Sequence, residues 1–387
     1  MKKTRDESQE EFVDLWIANN CYGSLLGVTG YGKTICSIKC ALKSKALNTA
    51  VIVPTKELKK QWLEVTKSFK LPNVSVYIVN TAAKLNLECD LLIVDESHTT
   101  GMADWFKLGW KNAKFNKLIG LSASPLRKDG KHKDFLEKAP ILMSVGFKEA
   151  LENGWISNYT IYNVGVELTK EEQIKYDDII LQLDILYDNI SKLKKLELNY
   201  VQKNTFILAN QFLKSKKWQY IKLAVKYYKL IGERKTLLYN ADNKLVRIVN
   251  YINNNPDKKV LVFSQSQEFA DKLQDKLKDI CVTIHSKLKD KDRENNLKKF
   301  KDKRTKIRVI SSIKALNEGI DIPELDVGIM ASGTSSKKDA IQTLGRICRL
   351  HGNKYALFFN LYIKDTQDQI WLRNRTYELD REKIKWI

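Results

Sequence analysis

No apolar run in this sequence approaches the roughly 20 residues that a helix needs to cross a bilayer. Met1-Lys2-Lys3 is basic, but the polar stretch Thr4 to Glu11 follows where a secretory leader would be apolar. No basic amphipathic anchor stands out, so contact with a membrane is not expected. The six cysteines, Cys21, Cys36, Cys40, Cys89, Cys281 and Cys348, form no C-x-x-C pair. That spacing argues against a zinc site and fits reduced thiols in the cytoplasm. Cys36 and Cys40 lie four apart and are expected to pack on one helix face. There is no repeat of solenoid period and no low-complexity tract. Acidic residues are in deficit: 46 Asp and Glu stand against 67 Lys and Arg, for a formal charge of +21. Such an excess suits a polyanionic partner, most simply nucleic acid.

The 387 residues, 43% of them hydrophobic, are enough for two or three domains with cores of their own. One stretch organises the rest. Gly27-Val28-Thr29-Gly30-Tyr31-Gly32-Lys33-Thr34 fits the phosphate-binding pattern G-x-x-x-x-G-K-[ST]. Glycines let the backbone wrap an anion, and the N-terminus of a following helix attracts it. Ser24 to Leu26 reads as a short strand and Ile35 to Ala46 as a helix, so the context is right. Gly30, Tyr31, Gly32, Lys33 and Thr34 are the candidate ATP contacts. Lys33 would reach the outer phosphates, and the Thr34 hydroxyl would hold Mg²⁺. The bland alternative is a glycine turn between strand and helix.

Upstream, Arg5 to Asn19 reads as an amphipathic helix with Phe12, Leu15 and Trp16 on one face. Gln9, one turn after Arg5, could read adenine with two hydrogen bonds or simply sit on a solvated helix start. Downstream, Ala50 to Val53 is a buried parallel strand by composition, and Thr55 caps a helix from Lys56 to Phe69. Val74 to Val79 is a further strand, with Thr81 in the loop after it. Leu91 to Val94 runs into Asp95-Glu96-Ser97-His98, which places two acids at the carboxyl edge of a parallel sheet. Lys117 to Leu121 is the next strand. This alternation spells one doubly wound α/β domain over residues 1–142.

Residues 143–232 read as a connecting unit: a helix from Phe147 to Gly154, a strand from Thr160 to Leu168, then helix to about Leu230. Its lysine-rich faces (Lys192, Lys194 and Lys195; Lys214, Lys216 and Lys217) suit solvated surface first and DNA contact second. A second α/β pattern fills 233–387. Its strands are Lys259 to Phe263, Val282 to Ile284, Ile307 to Ile310 and Val327 to Met330. A helix carries Gln342 to Arg349, Tyr355 to Asn360 is expected to close the sheet, and a last helix spans Asp365 to Lys385. Trp371 and Trp386 are expected as packing anchors.

A phosphate loop needs a metal ligand and a base. Asp95 suits the metal beside Thr34, and Glu96 suits activation of the attacking water. Phosphoryl transfer also spreads negative charge that a fixed cation can meet. The first domain offers no obvious arginine for this. Arg346 and Arg349, three apart on one helix face, can supply it. Paired arginines commonly mark a solvated surface, but the flanking Gln342 and Gly345 favour the catalytic reading.

With these residues in hand the chain resembles the superfamily 2 helicases over nearly its whole length. Gly27 to Thr34 matches that family's motif I, Val53 to Leu58 resembles motif Ia, and Asp95-Glu96-Ser97-His98 falls where motif II belongs. Ser122-Ala123-Ser124 is similar to motif III, and Pro125 to Gly130 follows it. Val260 to Ser264 resembles motif IV, Glu318-Gly319-Ile320-Asp321-Ile322-Pro323 motif V, and Gln342 to Arg349 motif VI. The segment after motif III resembles the branch of phage UvsW-like branch-migration helicases and restriction-type translocases.

The resemblance implies two tandem RecA-like α/β domains with parallel sheets plus a helical connecting segment. It implies ATP with Mg²⁺ in the cleft between the domains, and nucleic acid across both. By matching positions, Gln342, Arg346 and Arg349 face the γ-phosphate, and Gly319 and Asp321 the nucleotide. His98, Ser122 and Ser124 couple hydrolysis to movement, and Thr55, Lys56, Thr81, Ser264, His285 and Ser312 contact nucleic acid. Motif II ends Ser-His, neither the DEAD nor the DEAH form, which weakens an RNA assignment. Ile313 stands where motif V commonly begins with Thr, and Gln9 is off the usual spacing. The chain begins almost at the helicase core, so specificity is expected from the core, the helical insert or a partner. The expected activity is an ATP-dependent DNA helicase or translocase. The alternatives are an RNA helicase and a non-hydrolysing nucleic-acid clamp.

Overall fold

The computed structural model describes residues 2–103, 105–123, 130–197, 205–285, 287–313, 325–335, 337–348, 355–377 and 379–387. The first half runs α1 (Arg5–Ala18), β1 (Tyr22–Gly27), α2 (Lys33–Lys43), β2 (Thr49–Val53), α3 (Lys56–Ser68), β3 (Val74–Ile78), α4 (Val79–Ala82) and β4 (Glu88–Val94). It continues with α5 (Ser97–Thr100), α6 (Leu108–Lys111), β5 (Lys114–Ser122), α7 (Lys133–Lys138), β6 (Ile141–Val145) and α8 (Phe147–Glu152). Then come β7 (Asn158–Val166) and a helical arm, α9 (Lys170–Glu197), α10 (Thr205–Leu213) and α11 (Trp218–Asn240). The remainder is α12 (Asp242–Asn253), β8 (Val260–Ser264), α13 (Gln267–Leu277), β9 (Cys281–Ile284), α14 (Asp290–Lys301), β10 (Val309–Ile313), β11 (Val327–Met330), α15 (Lys337–Ile347), β12 (Tyr355–Ile363), α16 (Gln367–Thr376) and β13 (Ile384–Trp386).

Two parallel sheets result, ordered β3-β2-β4-β5-β1-β6 and β13-β7-β12-β11-β8-β10-β9. Helices cover both faces of such sheets, so the inner strands are mostly apolar; β2 and β8 are buried at every position. The expected pair of α/β units is present. Among the described residues no helix is long and apolar enough to cross a membrane.

Several boundaries moved. The expected break at 142 falls inside β6, which pairs with β1 and so completes the first sheet. Strand β7 was expected in the connecting unit. It is instead hydrogen-bonded to β12 along nine residues, Asn158 to Val166, and belongs to the second sheet. Strand β12 therefore lies inside that sheet and does not close it. The last expected helix stops at Thr376, and Ile384–Trp386 returns as an edge strand on β7. Trp371 packs edge-on to Tyr239, as an anchor should, whereas Trp386 stays half exposed against Tyr362. Thr81 lies in the single turn of α4 and not in a loop.

Helix α1 starts at a reciprocal cap between Thr4 and Glu7. It buries Phe12, Val13 and Trp16, while the expected Leu15 is 41% exposed. Cys36 and Cys40 are fully buried on α2, as expected. One apolar cluster joins the halves. It includes Trp16, Leu25, Tyr31 and Val51 of the first, Trp155, Ile156 and Tyr159 of the crossover, and Leu344, Ile347 and Phe358 of the second.

Candidate nucleotide site and nucleic-acid edge

Strand β1 ends at Gly27, and the chain turns through Gly30 and Gly32 before α2 begins at Lys33. Those glycines hold φ of 94° and 95°, a conformation that costs a side-chain-bearing residue strain. A Cβ on Gly32 would also lie 2.6 Å from the Gln9 Nε2. The loop thus presents bare backbone to the first turn of an 11-residue helix, which suits an anion. Lys33 Nζ lies over the loop and donates to the Gly27 carbonyl at 2.8 Å. Thr34 sits beside it on the first turn of α2.

Two expected nucleotide contacts are otherwise engaged. Tyr31 is fully buried; its hydroxyl donates to Ser8 Oγ at 2.8 Å and its ring lies 5.5 Å from that of Trp155. Its side chain is core. Gln9 is buried, which excludes the solvated helix start. Its Nε2 donates to the Tyr31 carbonyl at 3.2 Å, so in this arrangement its amide braces the loop in place of offering a free edge to adenine.

Strand β5 lies between β1 and β4, so Asp95, just past β4, reaches the same sheet edge as the loop. Its carboxylate is buried. Oδ2 accepts from Trp62 Nε1 at 2.8 Å, and Oδ1 accepts from the Glu96 backbone N–H at 2.9 Å. Burial, and then the neighbouring Glu96, push its pKa up to about 6, against the Trp62 bond and the Lys33 cation. Glu96 takes φ of 49°, a left-handed conformation stored at a non-glycine residue. His98 Nδ1 lies 2.9 Å from Ser122 Oγ and 3.3 Å from Glu96 Oε2. The two acids, His98 and Ser122 therefore form one contiguous group.

The second half meets the phosphate loop through α15, which carries Gln342 and a buried Arg346. A Cβ on Gly345 would lie 2.5 Å from Thr29 Cβ, so a glycine alone lets α15 sit on the phosphate loop. Arg349, Gly319, Asp321 and Ser124 lie outside the described residues.

The expected nucleic-acid contacts fall on the same edges. Thr55 and Lys56 follow β2, and Thr81 follows the adjacent β3. Thr55 Oγ1 is spent on capping α3, where it accepts from the Leu58 N–H at 3.2 Å, while Lys56 is exposed. On the second sheet Ser264, Ser312 and His285 end or follow the adjacent β8, β10 and β9. Ser264 and Ser312 are buried, and Ser264 Oγ bonds within its own turn.

Trp62 was missed. Its buried face on α3 was legible from the helical period, but nothing local ties residue 62 to residue 95.

Residues 2–84 match the family described as type III restriction enzyme, res subunit, and residues 243–351 match the helicase conserved C-terminal domain. The DNA 3'-5' translocase XPB2 of Sulfurisphaera tokodaii is 27% identical over 390 residues, covering 95% of this chain and 83% of the relative. Two solved structures share the fold. The type ISP restriction-modification enzyme LlaBIII bound to DNA has a TM-score of 0.61 at 17% identity, over 100% of this chain and 31% of its own. Dbp5 of S. cerevisiae, bound to RNA and ADP BeF3, has a TM-score of 0.63 at 14% identity, over 98% and 88%. The chain resembles the superfamily 2 helicases in both halves, by a restriction-type match in the first and a helicase C-terminal match in the second. These matches and the aligned translocase mark it as an ATP-hydrolysing enzyme of helicase type.

Proposed function

We propose that the chain is a DNA translocase or helicase that couples ATP hydrolysis to movement on duplex, forked or branched DNA. The DNA translocase activity for which the Sulfurisphaera relative is named supports DNA, since that relative aligns over nearly the whole chain. So does the formal charge of +21. An RNA substrate is the second reading, favoured by the likeness to an RNA-bound structure and disfavoured by the Ser97-His98 ending of motif II. A cytoplasmic setting is part of the reading; its support is six free cysteines.

The observation that carries the reading is the fit of α15 onto the phosphate loop at Gly345, which brings the second half to the nucleotide. On this reading Lys33 leaves the Gly27 carbonyl to meet the outer phosphates. Thr34 and Asp95 are hard oxygen donors of the kind Mg²⁺ takes, with the rest of its shell left to water and phosphate. That carboxylate is buried next to a second one, a setting that favours a bound cation. When bound, Mg²⁺ would offset phosphate charge and polarise the attacking water. Glu96 orients and deprotonates that water, and His98 with Ser122 senses the change through their shared contacts. Arg346 and Arg349 supply positive charge as the halves close. The experiment is ATP turnover measured with no nucleic acid, single strands, duplex, forks, four-way junctions and RNA duplexes. Stimulation by DNA forms is expected; turnover raised by RNA and not by DNA would overturn the DNA reading.

A further inference from the structure

The two halves meet along two seams of opposite character. At the β1–β6 end the seam is apolar: Val28 and Tyr31 of the first half share one buried cluster with Trp155, Leu344 and Ile347. At the β2–β3 end, α3 of the first half faces α14 of the second across a groove of about 460 Å³. Ion pairs bridge that groove. Lys60 pairs with Glu294, Arg293 Nη2 lies 3.3 Å from Glu57, and Lys56 Nζ lies 3.9 Å from Asp290. Arg293 is held in place by Asp290 on its own helix.

We propose that α3 and α14 form a releasable clasp, with Lys60, Glu294, Glu57 and Arg293 as positioning residues that keep the halves closed before nucleic acid binds. Closure at this end supports the seating of α15 on the phosphate loop at the other. Exposed ion pairs are individually weak and screened by salt, whereas apolar burial is not. The molecule therefore opens from the α3–α14 end and hinges on the apolar seam. The clasp cations come from both halves, Lys56 and Lys60 from one and Arg293 from the other. A phosphate backbone along the groove can replace the carboxylates and still bridge the halves. The link to turnover rests on the ATPase reading; the clasp itself does not.

The test uses the full chain as K60E, E294K and the paired K60E/E294K. Both residues are more than half exposed, 66% and 54%, so folding is not at risk. Small-angle X-ray scattering at low and high salt reads the arrangement of the halves. Each single reversal is expected to expand the protein at low salt part of the way toward the dimensions the parent reaches at high salt. The pair is expected to restore the compact form, with melting temperature unchanged throughout. Turnover without nucleic acid should fall about two- to fivefold in the singles and recover in the pair. Singles that scatter like the parent, or a pair that stays expanded, would overturn the clasp. A parent without ATP turnover would sink the hydrolase reading and leave the scattering result standing.

Discussion

At the carboxyl edge of the first sheet, β1 ends in the phosphate loop, β4 in Asp95 and Glu96, and β5 in Ser122. At the same edge of the second sheet, β8 ends in Ser264, β10 carries Ser312, and His285 follows β9. Both sheets are parallel throughout, so the architecture fixes where a ligand goes and leaves the chemistry to the residues placed there. The first edge concentrates charge: two adjacent carboxylates, one of them buried, beside a lysine. The described part of the second edge offers hydroxyls and an imidazole. On the proposed reading the first half alone can hold a nucleotide, and the second half contributes to reaction by approaching it. Breaking a first-edge acid, or the arginine that the second half brings to it, should stop chemistry; breaking a second-edge hydroxyl should alter grip.

The largest effect is expected at the arginine proposed to meet the γ-phosphate. Arg349→Ala should cut turnover by on the order of 10³ to 10⁵ while ATP affinity stays close to that of the parent, because a transition-state cation matters little to ground-state binding. A melt run beside a steady-state ATPase titration checks this, and turnover retained at saturating DNA would rule the arginine out. Next comes Glu96→Gln. It keeps the loop and the metal donors and removes the base, so turnover should drop about 10² to 10⁴-fold with nucleotide still bound. Parallel loss of affinity would make Glu96 a structural or metal residue instead. Gly345→Ala tests the meeting of the halves directly. A methyl 2.5 Å from Thr29 must push α15 off the loop. A displacement of that kind can cost about 10²-fold in rate, read as lower kcat with an unchanged melting temperature.

Much of this was legible in the sequence because it is local. Glycines at fixed spacing before a helix, β-branched runs, and two acids after a strand are each set within a few residues. What escaped depends on distant partners. Strand β7 pairs with a segment about 200 residues away, so its membership of the second sheet left no local trace. Three residues, Ile384 to Trp386, are too few to announce a strand after a helical pattern. Tyr31 lies inside the motif, yet its side chain belongs to the core because Ser8 and Trp155 happen to meet it there.

Trp62→Phe separates the support of Asp95 from its chemistry. The ring still packs, but the Nε1 donor to Asp95 Oδ2 is lost. Hydrogen bonds to charged groups contribute about 1.5–3 kcal/mol, and the acceptor here stays buried. Stability should fall by about that amount in denaturant titration. A variant as stable as the parent would mean that the carboxylate finds another donor.

The smallest effect sharpens the comparison most. Ser312 is fully buried on β10, and its hydroxyl has no hydrogen-bond partner among the described residues. A buried hydroxyl left unbonded costs about 1–3 kcal/mol. Were Ser312 only a packing residue, Ser312→Ala should leave stability equal or raise it by up to about 1 kcal/mol, with no effect on nucleic-acid binding. If the second edge instead serves to grip a phosphate when the halves move, the hydroxyl is kept for that contact. The same substitution should then weaken nucleic-acid affinity several-fold while the melting temperature holds or rises. We expect the second outcome, because an unbonded hydroxyl sits on β10 between the strands that lead to Ser264 and His285. A melt and a fluorescence-anisotropy titration on duplex DNA decide between them: unchanged affinity together with raised stability would return Ser312 to the core.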